Sequence, residues 1–193
     1  MIINLVIFMV KEKILFVSVR NASRSQMAEG FCKDFYGDEL KVYSAGSDPQ
    51  EIDPQTVQIM DEMGIDISRQ TSNSLLDYKD HEFDFVIMIC GNEYNACPIA
   101  FGGKKYFKKS LGDIYPFTGT ETEKNKLLRE IRDEIGDWIQ DFHYYMNDES
   151  NVLTITDCCD LMGSDDDGCC DLGENSDCCS PDSSIRDSKD NHK

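Results

Sequence analysis

The sequence predicts a single small α/β domain, a four-stranded parallel sheet with helices on both faces, followed by a disordered acidic tail. Three observations predict it. Strand-like runs alternate with runs of helical periodicity across residues 11–146. Phe83-Asp84-Phe85-Val86-Ile87-Met88-Ile89 is almost continuously apolar, the pattern of a strand covered on both faces. A tight polar loop, residues 18–25, joins an apolar strand to a helix start, and parallel α/β sheets bind ligands at such strand ends.

The elements follow in chain order. Lys13-Ile14-Leu15-Phe16-Val17 reads as the first strand. Ser25 to Tyr36 places Met27, Ala28, Phe31, Cys32 and Phe35 at helical spacing, and Gly37 ends the run. Leu40 to Ser44 alternates like a strand, and Ala45-Gly46-Ser47-Asp48-Pro49 is loop. Asp53-Pro54 supplies an N-cap followed by proline at the first helical position. Val57, Ile59, Met60 and Met63 then line a helix expected to stop at Gly64, and Ser72 to Tyr78 suggests a short helix. Lys104 to Lys108 is a weaker strand candidate. Thr120 to Met146 reads as one long helix, with Leu127, Leu128, Ile131, Ile135, Trp138, Ile139 and Phe142 on one face.

The net charge of −18 argues against nucleic acid or an anionic membrane surface as partner. Thirteen Asp/Glu and three Lys/Arg fall in residues 147–193, so the tail holds −10 and residues 1–146 about −8. That tail lacks apolar periodicity and is expected to be disordered, because it cannot bury enough surface to offset chain entropy. Residues 1–10 form an apolar extension too short to span a bilayer and without a basic leader or cleavage site. Met9-Val10-Lys11-Glu12-Lys13 reads as a natural start. The expected divisions are therefore 1–10, 11–146 and 147–193. With no secretory signal, nine cysteines point to a reducing, cytoplasmic compartment, where thiols serve catalysis, redox chemistry or metals.

The loop Ser18-Val19-Arg20-Asn21-Ala22-Ser23-Arg24-Ser25 carries the chemistry. A strand end, a tight turn and a helix N-terminus direct backbone N–H groups inward, the helix dipole favours negative charge, and an arginine closes the ring. Arg24 suits a tetrahedral oxyanion because its planar guanidinium binds two oxygens at once and stays charged. Asn21 is expected to hold the turn through side-chain-to-backbone hydrogen bonds. Ser25 is expected to donate to the first-position atom, to cap the helix, or to do both, and Arg20 is expected to be a solvated loop residue. Cys32, on the apolar helix face, is expected in the core.

These residues resemble the low-molecular-weight protein tyrosine phosphatase superfamily, and within it the thioredoxin-coupled arsenate reductases. Val19 to Gly30 is similar to the active-site signature, and Val42-Tyr43-Ser44-Ala45-Gly46 to the second strand and turn. Met63 to Ser72 resembles a third block. Cys90-Gly91-Asn92-Glu93-Tyr94-Asn95-Ala96-Cys97-Pro98 resembles the loop holding the resolving cysteines of the reductases. The similarity covers roughly residues 11–145.

The resemblance implies a nucleophilic cysteine at the first loop position, its thiolate stabilised by the loop amides. Ser18 stands there. A serine needs an adjacent base, and none of His81, His143 and His192 lies in the loop. Serine also cannot enter thiol–disulfide exchange. The resemblance implies that Asp113 is the general acid, although Ile114 stands where the family has proline. It implies a relay from the first thiol to Cys90, then Cys97, then a thioredoxin-type reductant. It also implies a potassium ion at Asn21, Glu29, Ser44 and Asn73, with Asn73 in place of the usual aspartate. No tightly bound cofactor is expected. In the tail, Cys158-Cys159, Cys169-Cys170 and Cys178-Cys179 are weak candidates for soft metals or arsenite, lacking the C-x2-C spacing of zinc ribbons.

Three readings stay open: an arsenate reductase-like protein silenced by Ser18, a low-molecular-weight tyrosine phosphatase, and a non-catalytic oxyanion or metalloid binder. In each, the ligand is arsenate or a phosphate-like oxyanion.

Overall fold

The computed structural model describes residues 11–91, 102–112 and 114–152, apart from the side chains of Cys90, His143, Asn147 and Asn151. The expected 1–10 extension and the tail beyond residue 152 lie outside the described residues.

Four parallel strands form one sheet in the order β2-β1-β3-β4, where β1 is Glu12–Ser18, β2 Leu40–Gly46, β3 Phe83–Cys90 and β4 Gly103–Ser110. Side chains alternate across a strand, so β1 feeds two cores. Ile14 and Phe16 join a cluster with Phe31, Ile59, Leu128, Ile135 and Phe142, while Leu15 and Val17 pack with Ala45, Phe83, Val86 and Met88. The first cluster is built by α1 (Arg24–Tyr36), α2 (Pro54–Asp61), α3 (Glu121–Gln140) and α4 (Phe142–Asn147). On the other face, the short 3-10 helix Leu75–Tyr78 contributes Leu75 and Tyr78. Both faces are covered, which explains why β1 is continuously apolar over Ile14–Val17 and β3 over Phe85–Ile89.

The local signals act largely as expected. Asp53 caps α2 by accepting the Gln55 N–H at 2.9 Å, with Pro54 at the first helical position. Several boundaries differ from expectation. β2 runs on through Ala45 and Gly46, expected as loop, because they pair with Val17 and Ser18 of β1. α2 ends at Asp61, and Gly64 then turns the chain at φ 78°, leaving Met63 outside the helix and exposed. The long C-terminal helix is two helices. At Asp141, φ −90° and ψ 9° break the α-helical path, and Phe142 beyond the break is fully buried. Apolar spacing continues across the break, which is why periodicity alone reads one helix there. Among the described residues no helix is long and apolar enough to cross a membrane.

Candidate oxyanion site

β1 ends at Ser18, paired in register with Gly46 of β2. A Cβ on Gly46 would lie 2.6 Å from the Val19 carbonyl oxygen, so glycine lets β2 run hard against the loop. Beyond Ser18 the loop carbonyls are taken up by the neighbouring 48–53 segment. Asp48 N–H donates to Val19 at 2.9 Å, Gln50 N–H to Arg20 at 2.9 Å and Asp53 N–H to Ala22 at 3.1 Å. In a planar trans peptide the C=O and the following N–H point opposite ways. The N–H groups of Arg20, Asn21 and Ser23 therefore face the concave side of the loop. That of Asn21 reaches Ser18 Oγ at 3.1 Å. Ser23 stands at the N-cap of α1 without a side-chain cap bond, leaving first-turn N–H groups to an anion.

Asn21 holds this turn in the left-handed region, at φ 49°. Its Nδ2 donates to Ser25 Oγ at 2.9 Å and to Ser44 Oγ at 2.8 Å. Its Oδ1 accepts the Asn73 N–H at 2.9 Å and Gln26 Nε2 at 3.1 Å. Gln26, fully buried, also donates to the Asn21 carbonyl at 3.0 Å and accepts Gln70 Nε2 at 2.7 Å. Three chain segments, the start of α1, β2 and the stretch at Asn73, thus meet on one buried asparagine.

Ser18 and Ser25 hydroxyls lie 2.8 Å apart. Ser25 therefore bonds the first-position atom, and the N-cap falls to Ser23. Since Ser18 Oγ already accepts the Asn21 N–H, its own O–H is free to face the concave side whenever Ser25 supplies the shared hydrogen. Among the described residues no histidine or carboxylate contacts Ser18. His81 sits against Tyr78 and Phe83, on the opposite core.

Arg24 opens α1, and its Nη1 donates to the Gly112 carbonyl at 3.3 Å, bringing the chain just before residue 113 to the loop. Arg20 is exposed on the loop, as expected, and in addition lies over the Tyr115 ring, its Cζ 4.6 Å from the centroid. The cause is tertiary, since Tyr115 presents an aromatic face beside the loop. Tyr115 is pinned by its hydroxyl, which donates to Asp53 Oδ2 at 2.6 Å and lies 3.4 Å from Ser23 Oγ. Burial and the Asp53 carboxylate push its pKa up to about 12. Burial alone would raise the Asp53 pKa, but hydrogen bonds from Lys124, Tyr115 and the Gln55 N–H outweigh it, and the net shift is downward. Arg20, Ala22, Gln50, Glu51, Asp53 and Tyr115 line a groove of about 410 Å³.

Other expected site residues are only partly in view. Cys90 is the last residue of β3, at the carboxyl end of the sheet that also carries Ser18, and pairs with Ser110 in the backbone register. Cys97, Asp113, Cys158, Cys159, Cys169, Cys170, Cys178 and Cys179 lie outside the described residues. Cys32 is fully buried, and burial and then Glu29 push its thiol up to about 12. Among the described residues no three His, Cys, Asp or Glu side chains gather to hold a metal.

The oxygens implied for potassium are largely engaged by protein donors. Ser44 Oγ receives Asn21 Nδ2 at 2.8 Å and Gln26 Nε2 at 3.3 Å, and Asn21 Oδ1 receives two N–H groups. Asn73 turns its Nδ2 toward the Ser44 carbonyl at 3.3 Å. Glu29 is held by Lys33 through Oε1, while its buried Oε2 has no partner. Potassium requires lone pairs, and only that last atom offers them uncontested.

Asp53 as an anchor, Tyr115 and Gln26 are the members of the site that the sequence reading missed. Gln26 had a local signal, a fully polar side chain on the buried side of a helix. Asp53 and Tyr115 lie 62 residues apart, and nothing local joins them.

The sequence matches the family described as low molecular weight phosphotyrosine protein phosphatase over residues 13–151. An arsenate reductase of Halalkalibacterium halodurans is 40% identical over 132 residues, covering 68% of this chain and 95% of that protein. A solved arsenate reductase in the phosphate binding state superposes with TM-score 0.58 at 30% identity, covering 68% of this chain and 95% of that one. A thioredoxin-dependent arsenate reductase of Corynebacterium glutamicum superposes with TM-score 0.53 at 30% identity, covering 69% of this chain and 61% of that one.

Proposed function

The chain belongs to the low molecular weight phosphotyrosine protein phosphatase family, and from that premise we propose that it is an arsenate reductase-like protein whose loop holds arsenate or phosphate. One observation carries the reading. The Val19, Arg20 and Ala22 carbonyls are bound on the outer side of the loop, which turns the opposed N–H groups inward beside the N-terminus of α1. Val19, Arg20, Asn21, Ala22, Ser23, Arg24 and Ser25 form the cradle, and Arg24 closes it with fixed charge.

The redox half of the reading rests on the curated relatives, which are arsenate reductases, and on the thioredoxin-dependent structural neighbour. In that half Asp113 supplies a proton to the leaving oxygen, and Cys90 and Cys97 carry two electrons outward to a thioredoxin-type reductant. Ser18 interrupts the relay at its first step. Oxygen forms no disulfide, so the chain as written binds the oxyanion and does not turn it over. Potassium takes no part in the proposal, because the donors around Asn21, Ser44 and Asn73 do not fit it.

The test uses the full chain and its Ser18→Cys variant. Calorimetric titration of the unaltered protein should give saturable binding of phosphate and arsenate and no arsenite release with thioredoxin, thioredoxin reductase and NADPH. Ser18→Cys should gain thioredoxin-dependent arsenate reduction that Cys90→Ala or Cys97→Ala abolishes. Absence of oxyanion binding ends the binding proposal. Hydrolysis of aryl phosphate by Ser18→Cys that survives loss of Cys90 and Cys97, without arsenate reduction, replaces the reductase with a phosphatase.

A further inference from the structure

We propose that Arg20 and Tyr115 form a selectivity gate at the mouth of the loop, admitting free tetrahedral oxyanions and turning away phosphate esters of aromatic alcohols. The inference rests on the oxyanion-binding reading above and assigns its discrimination to named side chains. Three observations carry it.

Tyr115 is fixed at its far end. Its hydroxyl is bound to Asp53, which is itself held by Lys124 Nζ at 2.7 Å, by the Gln55 N–H as the cap of α2, and through its own N–H by the Ala22 carbonyl. The ring cannot swing aside without breaking a part-buried charge-assisted bond.

The ring is also covered. The Arg20 guanidinium stands 4.6 Å from the centroid and Lys124 Nζ 5.6 Å from it. A substrate ring stacking on the same face needs the interval the guanidinium occupies, and displacing it forfeits the cation–π contact. Inorganic phosphate and arsenate have no ring to place and meet only the charge.

Finally, the rest of the groove offers an aryl group little in return. Apart from Ala22 and Tyr115 its lining is Arg20, Gln50, Glu51 and Asp53, polar or charged, which leaves an aryl group little apolar surface to bury against. Arg20, exposed and on the loop itself, thus both draws the oxyanion and blocks its bulkier relatives.

The gate is tested by binding rather than turnover, so Ser18 is no obstacle. Calorimetric titrations of the full chain with inorganic phosphate and with phenyl phosphate should show the ester binding at least about tenfold more weakly. Arg20→Ala, an exposed change that spares the core, should shrink that ratio at least about fivefold, chiefly by strengthening phenyl phosphate. A Tyr115→Ala variant should shift the ratio in the same direction, with circular dichroism confirming the fold. Phenyl phosphate binding to the unaltered chain as tightly as phosphate, or an unchanged ratio in folded Arg20→Ala, overturns the gate. Failure of both ligands to bind refutes the underlying oxyanion reading instead, and the gate with it.

Discussion

The Ser25 hydroxyl lies 2.8 Å from the Ser18 hydroxyl, so the first turn of α1 returns to touch the last residue of β1. With the Asn21 N–H at 3.1 Å, the first-position atom has one backbone donor and a hydroxyl able to act as a second. A sulfur placed there by Ser18→Cys would meet the same donors, which favour the thiolate over the thiol. The variant thiol should titrate well below ~8.5, and adding Ser25→Ala should raise its pKa by about one unit. Iodoacetamide labelling across pH, read at residue 18 by mass spectrometry, checks this. An identical labelling profile in both variants rules out the Ser25 contribution.

Asn21 joins the loop to Ser25, Ser44, Asn73 and Gln26 through four side-chain hydrogen bonds. Asn21→Ala leaves buried partners unsatisfied and puts a less tolerant residue at φ 49°. It should cost roughly 3 kcal/mol in urea unfolding and weaken phosphate binding more than about tenfold. Asn21→Gly relieves the backbone strain alone and should recover only about 1 kcal/mol. Full recovery by glycine would show that the turn, not the hydrogen bonds, matters.

Gly46 faces the loop backbone. The added methyl of Gly46→Ala would sit 2.6 Å from the Val19 oxygen and 3.0 Å from the Asn21 nitrogen, both main-chain atoms. Relief therefore requires moving the loop itself. The variant should fold with a loss of about 1–3 kcal/mol and lose phosphate affinity out of proportion to that loss. Gly30→Ala, which instead meets the Ile67 side chain at 2.7 Å, should lose stability while keeping phosphate affinity. Equal loss of affinity in both variants would contradict the placement.

Glu62 clasps α3 from the end of α2. Arg129 binds it in a fork, Nε to Oε2 at 2.8 Å and Nη2 to Oε1 at 2.6 Å, and Arg132 adds Nη1 to Oε2 at 3.1 Å. The Arg129 hydrogen bonds, with Arg132 assisting, hold its pKa at about 2 against an ordinary 4.5. A carboxyl depressed on folding contributes stability that is complete above the unfolded value and fades as pH falls toward the folded one. The thermal midpoint gap between the unaltered chain and Glu62→Gln should be constant above pH 4.5 and close between 4.5 and 2. A gap indifferent to pH over that range would falsify the assignment.

What the sequence by itself determined was whatever is encoded over a few residues. The strand–loop–helix order around Ser18–Ser25, the cap at Asp53-Pro54, and the two-sided burial of β3 are short-range patterns, each carried by neighbouring side chains or by one period of alternation. The turn-holding role of Asn21 was legible for the same reason, but three of its four side-chain bonds go to the Ser25, Gln26 and Ser44 side chains rather than to backbone, which tertiary packing decided. Only the tertiary structure decided which distant groups share a site. Tyr115 meets Asp53 and Arg20 because the chain beyond β4 brings it beside the loop after β1, and no pattern within residues 11–30 contains that fact. The same holds for the break at Asp141, where continuous periodicity hides a turn that seats Phe142 in the core. Propensity and periodicity act along the chain, whereas the gate depends on packing between segments brought together by the order of strands in the sheet.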